Sequence, residues 1–162
     1  MRRTHTCSAL RKSDVGKPVV LVGWVDTLRD HGGIQFVDLR DRSGLTQVVL
    51  DPSSEALRED LHRLRPESVI EISGTVRARG ESEVNTRLET GEVEVAAESL
   101  LIHNISETPP FQLDDERASK VNEDLRLRYR YLDLRRPSMY RNLTLRSQAA
   151  KATRDYLDEA GF

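Results

Sequence analysis

The chain has 162 residues, of which 37% are hydrophobic and 32% are charged, and its formal net charge is −2. This length is enough for one ordinary domain, or for a small domain and part of another. No apolar run approaches the roughly 20 residues of a membrane-spanning helix, and no apolar segment follows the basic N-terminus as in a secretory signal. We therefore expect a cytoplasmic protein that does not span a membrane. Cys7 is the only cysteine, which excludes an internal disulfide.

Three strands are predicted in the first third of the chain. The first covers roughly residues 18–29 and has Gly23 at its middle, where we predict a bulge or sharp bend. The second lies in GGIQFVDLRD, and the turn signal DRSG leads from it to a third strand, LTQVVLD. The second and third strands are therefore predicted to form a hairpin.

The two faces of the second predicted strand differ in chemistry, because side chains alternate along a strand. Gln35, Val37 and Leu39 lie on one face, whereas Phe36 and Asp38 lie on the other. A core face rarely holds an aspartate, so the pattern favours an outer position for the ring of Phe36. The alternative is that Phe36 is an ordinary core residue.

One helix and two further strands complete the predicted fold. The segment PSSEALREDLHRLRPES repeats leucine at helical spacing between a serine that can cap the helix and a proline that can end it. SVIEISGTVRAR and EVEVAAESLLIHNI alternate like strands and are separated by a polar loop. The order β-β-β-α-β-β is that of an OB-fold, a five-stranded Greek-key barrel, so the predicted fold class is mainly β.

The expected domain organisation is a barrel over residues 1–106, a linker over 107–124 and the start of a second domain over 125–162. The linker is predicted from its two prolines, its many charges and its lack of a sustained period. Residues 138–160 have an apolar stripe at helical spacing, and Gly161 is a typical residue after a helix end. This helix has no partner of its own, so we expect that the second domain is truncated.

An OB-fold binds single-stranded nucleic acid on its second and third strands. Phe36 offers a ring for base stacking, and Gln47 offers a donor and an acceptor for a base edge. Phosphates need cations, which are supplied by Arg29, Arg40, Arg77 and Arg79. Solvated strand residues are the alternative reading of these polar side chains. We find no nucleophile–base signature, no Gly-rich phosphate loop and no metal spacing of histidines, so no catalytic or metal-binding residue is predicted.

Three segments closely resemble the N-terminal part of bacterial-type aspartyl-tRNA synthetases: GWVDTLRDHGGIQFVDLRDRSGLTQVV, LRLRYRYLDLRRPSM and DYLDEAGF. The resemblance runs nearly end to end, although lysyl enzymes have a segment similar to RYLDL. It implies an anticodon-binding OB domain, a hinge and the start of an α/β class II catalytic domain. The parent enzyme would use ATP and Mg²⁺ to attach aspartate to tRNA(Asp), as a homodimer. Its catalytic site would lie beyond Phe162, so this part would bind tRNA without catalysis.

The resemblance also implies roles for individual residues. Phe36 matches the residue that stacks on the middle anticodon base, a uracil, while Gln47 matches the residue that hydrogen-bonds the edge of that base, with Arg29 beside them. Glu94 matches the residue that contacts the last base, a cytosine, and a carboxylate can accept from the cytosine amino group. The residues that hold the anticodon backbone and the first base are matched by Arg77, Arg79 and Asn85.

Two positions bear on tRNA specificity within the family. His31 matches a position at which members that charge both tRNA(Asp) and tRNA(Asn) often have histidine, while Ser82 in the second loop gives no matching indication. The chain departs from the family at the loop around Asn85, and at Thr27 and Leu28, where most relatives have arginines. The alternative functions are an OB module that binds single strands without sequence preference, a lysyl or asparaginyl relative, and a fragment that only folds and docks.

Overall fold

The computed structural model describes residues 3–162, apart from the side chains of Ala56 and Glu59. The chain divides into two compact units, one ending at Thr108 and the other extending from Pro109 to Phe162. The expected boundaries of the linker, at residues 107 and 124, stay a prediction.

The first unit is a closed barrel with the strand order β1-β2-β3-β5-β4. All neighbouring strands pair antiparallel except β3 and β5, which pair in parallel. This is the predicted OB-fold, and the prediction is confirmed. The elements are β1 (Pro18–His31), β2 (Ile34–Arg40), β3 (Leu45–Leu50), α1 (Glu55–Leu61), β4 (Val69–Ala78) and β5 (Val93–Asn104).

Two local predictions differ from the structure. The bulge in β1 lies between Val25 and Thr27 rather than at Gly23. Gly23 serves a different purpose, because a Cβ atom there would lie 2.3 Å from the carbonyl oxygen of Arg40. The helix α1 ends before the predicted proline, in two tight turns that bury Leu64.

Alternate side chains of the five strands fill the barrel. Val37 and Leu39 are fully buried, so the inner face of β2 is the one predicted from the alternation. Gln35 shares this face and is half-buried, and its Oε1 atom has no hydrogen-bond partner among the described residues. Burial of each Leu or Val side chain stabilises the fold by roughly 1.5–3 kcal/mol. The other buried strand residues include Val19, Leu21, Val25, Val48, Leu50, Ile70, Ile72, Val76, Val93 and Val95.

The segment before β1 packs against the barrel. The backbone N–H of Thr4 donates to the carbonyl oxygen of Val20 over 2.9 Å, and the N–H of Cys7 donates to Oδ2 of Asp41 over 3.0 Å. Burial and the nearby charge of Asp41 raise the pKa of the Cys7 thiol to about 12. The thiol therefore stays protonated at neutral pH.

The second unit is helical. Its elements are α2 (Asp115–Ala118), α3 (Glu123–Arg128), α4 (Arg130–Asp133) and α5 (Pro137–Glu159). Phe111, Leu113 and Leu132 are buried together with Ala118 in a small apolar cluster. No helix within residues 3–162 is long and apolar enough to cross a membrane.

The long helix α5 has a different N-terminal cap from the one the sequence suggested. Ser138 was predicted as a cap or first helical residue, but Pro137 opens the helix. Asp115 then accepts from the backbone N–H of Ser138 over 2.9 Å. At the other end, Gly161 has a φ of +81°, which suits the predicted glycine stop. No residue described in α5 is buried.

Candidate nucleic-acid interface

A line of polar side chains crosses the outer face of the barrel. Thr27 lies opposite Asp38, which in turn lies opposite Gln47 on β3. On the far side, Arg77 of β4 lies opposite Glu94 of β5. Gln47 and Glu94 connect the two halves, because Nε2 of Gln47 donates to Oε2 of Glu94 over 2.7 Å. We name this line the polar row; its members are Thr27, Arg29, Asp38, Gln47, Arg77 and Glu94.

Arg29 joins the β1–β2 half of the polar row to Gln47. Its Nη2 atom donates to Oδ1 of Asp38 over 2.9 Å and to Oε1 of Gln47 over 3.2 Å. Gln47 is only 9% exposed, and both ends of its amide are engaged. Because an amide has two N–H groups and two oxygen lone pairs, one donor and one acceptor of Gln47 remain unused. These two sites can read the edge of a base.

Glu94 collects donors at the opposite end of the polar row. Its side chain is 7% exposed, and its Oε1 atom accepts from Nε of Arg77 over 2.6 Å. Its Oε2 atom accepts from Gln47 and lies 4.0 Å from Nε of Arg79. A carboxylate has about four lone-pair sites, so Glu94 keeps acceptor capacity for a further donor.

Arg79 is a buried cation beside Glu94. Its side chain is 4% exposed, and its Nε atom donates to the carbonyl oxygen of Val93 over 3.1 Å. Its Nη2 atom is buried and has no hydrogen-bond partner among the described residues. Burial lowers the pKa of this guanidinium, while the charge of Glu94 acts in the opposite direction. An unpaired buried donor is costly, which makes Nη2 a candidate contact for an acceptor on a ligand.

An aromatic pair lies beside the polar row. Phe36 is half-buried on the outer face of β2, opposite Arg29 on β1 and Val49 on β3. The ring of His31 meets that of Phe36 edge-to-face, with the centroids 5.7 Å apart and the planes at 72°. The two rings can form a stacking platform next to the amide of Gln47.

The other predicted residues are less closely connected to this site. Arg40 forms ion pairs with Asp26 at 3.3 Å and Glu67 at 2.5 Å, and its side chain is 18% exposed. Its prediction as a cation for phosphates stays a prediction. Asn85 uses its Oδ1 atom to accept from the N–H of Arg87 over 3.1 Å.

The loop residues stay predictions as site residues. Ser82 is exposed in the short turn Glu81–Glu83. Within residues 3–162, no hydrogen bond or ion pair connects Asn85 or Ser82 with the polar row. Asn85 instead shapes the β4–β5 loop, since its backbone also pairs with Gly91.

Sequence reasoning missed Asp38 as a member of the site. Its Oδ1 atom holds Arg29, and its Oδ2 atom accepts from Oγ1 of Thr27 over 2.5 Å. The available signal was the acidic residue on the same face as Phe36, in a strand predicted to pair with the one that carries Gln47. A carboxylate in that position needs a donor across the hairpin.

Other features of the described residues lie away from the polar row. A cavity of about 370 Å³ is lined by residues that include Arg3, Trp24, Asp41 and Arg42, none of which belongs to the polar row. In the described part of the chain, no three His, Cys, Asp or Glu side chains converge in a way that could hold a metal ion. The polar row and its aromatic pair are therefore the best-defined candidate site.

The closed barrel and its outer polar row define the class of an OB-fold nucleic-acid-binding domain. Residues 19–102 match the family model described as OB-fold nucleic acid binding domain, and the chain belongs to this family. Residues 122–162 match a second family model, described as tRNA synthetases class II (D, K and N).

Relatives match over the whole chain. It is 60% identical over 163 aligned residues to an aspartate–tRNA(Asp/Asn) ligase of Opitutus terrae, covering 100% of this chain and 27% of the relative. It is 54% identical to the ligase of the same name from Desulfotalea psychrophila, with 100% and 26% covered. The resemblance to bacterial-type aspartyl-tRNA synthetases is thereby confirmed. The chain spans about a quarter of the length of these curated relatives.

A solved structure agrees with the fold. Asparaginyl-tRNA synthetase from Pyrococcus horikoshii, complexed with asparaginyl-adenylate, superposes with a TM-score of 0.81 at 25% sequence identity. The match covers 100% of this chain and 36% of that one.

Proposed function

We propose that the barrel reads the anticodon of tRNA(Asp), as the N-terminal part of an aspartate–tRNA ligase. The observation that carries this proposal is the amide of Gln47, held between Arg29 and Glu94 with one donor and one acceptor unused. It lies in the polar row beside the half-buried ring of Phe36. This combination of a stacking ring and an oriented amide suits the recognition of an unpaired base.

The resemblance to aspartyl-tRNA synthetases gives each residue a part, and the chemistry of its side chain suits that part. Phe36 stacks on the middle base, a uracil, and Gln47 hydrogen-bonds the edge of that base. Glu94 accepts from the amino group of the last base, a cytosine, through its remaining lone pairs. Arg77 and Arg79 supply the positive charge for the anticodon backbone and the first base, where Asn85 also contributes.

The longer protein would carry out ATP-dependent activation of aspartate and its transfer to the tRNA, with Mg²⁺, as a homodimer in the cytoplasm. The names of the relatives, aspartate–tRNA(Asp/Asn) ligase, support tRNA(Asn) as a second substrate. The contact of His31 with Phe36 supports a part for His31 in this choice. Ser82 in the second loop is the other candidate position.

Binding to RNA hairpins tests the function of the barrel. Affinity for a hairpin with GUC in its loop should exceed that for GAC by roughly 5- to 150-fold, the range expected for one base contact. The substitution Phe36→Ala should weaken GUC binding by a similar factor, because the stacking surface is lost. Ile34→Ala is the matched control, since Ile34 is an exposed apolar residue two positions away on the same strand.

The outcomes separate the alternatives. Equal affinity of the wild-type chain for the two loops would exclude anticodon reading. If Phe36→Ala then weakened both loops equally, an OB module that binds single strands without sequence preference would be the correct description. Unchanged RNA binding in Phe36→Ala would indicate that this face does not bind RNA through its ring.

A further inference from the structure

The amide of Gln47 is held in one of its two orientations. Its oxygen faces Nη2 of Arg29, which can only donate, over 3.2 Å. Its nitrogen faces Oε2 of Glu94, which can only accept while ionised, over 2.7 Å. A flip of the amide would set donor against donor at Arg29 and acceptor against acceptor at Glu94. Both contacts of the buried amide would then be lost.

Orientation matters because uracil and cytosine have opposite patterns at the same atoms of the ring. Uracil has an N3–H donor next to the O4 acceptor, whereas cytosine has an N3 acceptor next to an N4 amino donor. The unused lone pair and N–H of an amide fixed as in Gln47 fit only one of these two patterns in a given pose. An amide free to flip would accept both bases.

Asp38 holds one side of this arrangement through Arg29. A single atom, Nη2 of Arg29, donates both to Oδ1 of Asp38 over 2.9 Å and to Gln47. By binding one N–H group of this nitrogen, Asp38 orients the other N–H group toward Gln47. Its other oxygen is fixed in turn by the hydroxyl of Thr27.

We propose that Asp38 is a positioning residue that sets the preference for uracil over cytosine at the base read by Gln47. It acts through Arg29, which holds the amide oxygen, while Glu94 holds the amide nitrogen. This proposal rests on the proposed function, because it concerns the same base. It goes further by assigning the discrimination between the two pyrimidines to a residue that acts through Arg29.

The experiment uses the full 162-residue chain and two hairpins that differ only by U or C at the middle of the loop. The wild-type chain should prefer U by roughly 5- to 150-fold, the range given by one bidentate contact. Asp38→Ala should lower this ratio about tenfold, while stacking preserves much of the affinity for both loops. Asp38→Asn keeps one acceptor oxygen and should give an intermediate ratio.

The matched control is Glu71→Ala. Glu71 also forms a pair between neighbouring strands, with Nε2 of His103 at 3.1 Å, and lies outside the polar row. This variant should lose a similar amount of thermal stability and keep the wild-type ratio of U to C affinity. A folded Asp38→Ala and a folded Asp38→Asn that both keep the wild-type ratio would overturn the proposal.

A second readout follows the amide itself. In ¹⁵N-labelled protein, the side-chain NH₂ signals of Gln47 should exchange slowly with solvent in the wild-type chain and faster in Asp38→Ala. Unchanged exchange would also overturn the proposal. A wild-type chain that binds U and C loops equally would instead contradict the proposed function, so the two failures are distinguishable.

Discussion

Two buried carboxylates, one in each unit, are surrounded by arginines but differ in how completely they are paired. Asp133 in the second unit is fully buried and accepts from Nε of Arg136 over 2.7 Å. It also pairs with Arg130 and lies 3.9 Å from Nη1 of Arg126. These partners are near neighbours in the chain. The cluster therefore holds neighbouring short helical segments together.

Glu94 in the barrel takes its partners from separate strands. Some of these partners keep hydrogen-bonding groups that no other residue uses. Gln47 keeps an unused donor and acceptor, and Nη2 of Arg79 is buried without a hydrogen-bond partner among the described residues. Buried polar atoms that lack partners reduce the free energy of unfolding. The closed charge cluster is therefore structural, whereas the incomplete one is suited to a ligand that supplies the missing contacts.

Breaking the closed cluster should have the largest effect on stability. In Arg136→Met, the buried Asp133 loses the donor at 2.7 Å and Asp115 loses the one at 3.3 Å. We expect the second unit to lose about 3 kcal/mol, the lower end of the range for removing one partner of a buried pair. Hydrogen exchange of the α5 amides in the full chain measures this loss. Unchanged exchange would show that the cluster is not what holds the start of α5.

The same substitution in the incomplete cluster should have a smaller effect on stability. Arg79→Met removes a guanidinium whose desolvation is only partly offset, so we expect the unfolding free energy of the barrel to change by less than about 1 kcal/mol. Affinity for the GUC hairpin should nevertheless fall by roughly tenfold, because a charge-assisted contact is lost. Urea unfolding and RNA titration measure the two quantities. A large loss of stability with unchanged affinity would instead show that Arg79 stabilises the barrel and does not bind RNA.

Most of the barrel could be predicted because its signals are local. The alternation of Val37 and Leu39 identified the inner face of β2, and the order of the elements identified the OB-fold. Phe36 and Gln47 are candidates from the predicted OB face, Glu94 is a candidate from the family resemblance, and the roles of all three stay predictions.

The pairing within the site could not be predicted, because it depends on a bulge. Trp24 pairs with Arg40, and Val25 pairs with Leu39. Without a bulge, the next pair would bring Asp26 opposite Asp38, and like charges directly opposite each other are destabilising.

The bulge resolves this conflict. It brings Thr27 opposite Asp38 and leaves Asp26 to pair with Arg40. The position of Asp38 in the polar row and the ion pair between Asp26 and Arg40 both follow from this single register shift.

A third carboxylate, Asp41, can show which property gives a buried carboxylate a structural or a binding role: complete hydrogen-bond pairing, or location in the barrel. It lies in the barrel unit with Glu94, but its oxygens are fully paired like those of Asp133, and its side chain is 4% exposed. One oxygen accepts from the N–H and hydroxyl of Ser43, at 2.7 Å and 2.5 Å, and from the N–H of Gly44. The other accepts from Cys7 and Arg3.

Asp41 should contribute to stability and not to RNA binding. Burial alone would raise the pKa of Asp41, but the hydrogen bonds from Ser43, Cys7 and Gly44 outweigh burial and lower it. Because the folded pKa lies below the unfolded one, the contribution is complete above about pH 4 and disappears as the pH falls through the folded pKa. Urea unfolding should therefore show a gap between the wild-type chain and Asp41→Asn at neutral pH, of about 1–3 kcal/mol. The gap should narrow in acid, while the U-to-C affinity ratio stays the same. A gap independent of pH would mean that the ionised carboxylate is not what stabilises the fold, and an altered ratio would mean that location in the barrel matters more than complete pairing.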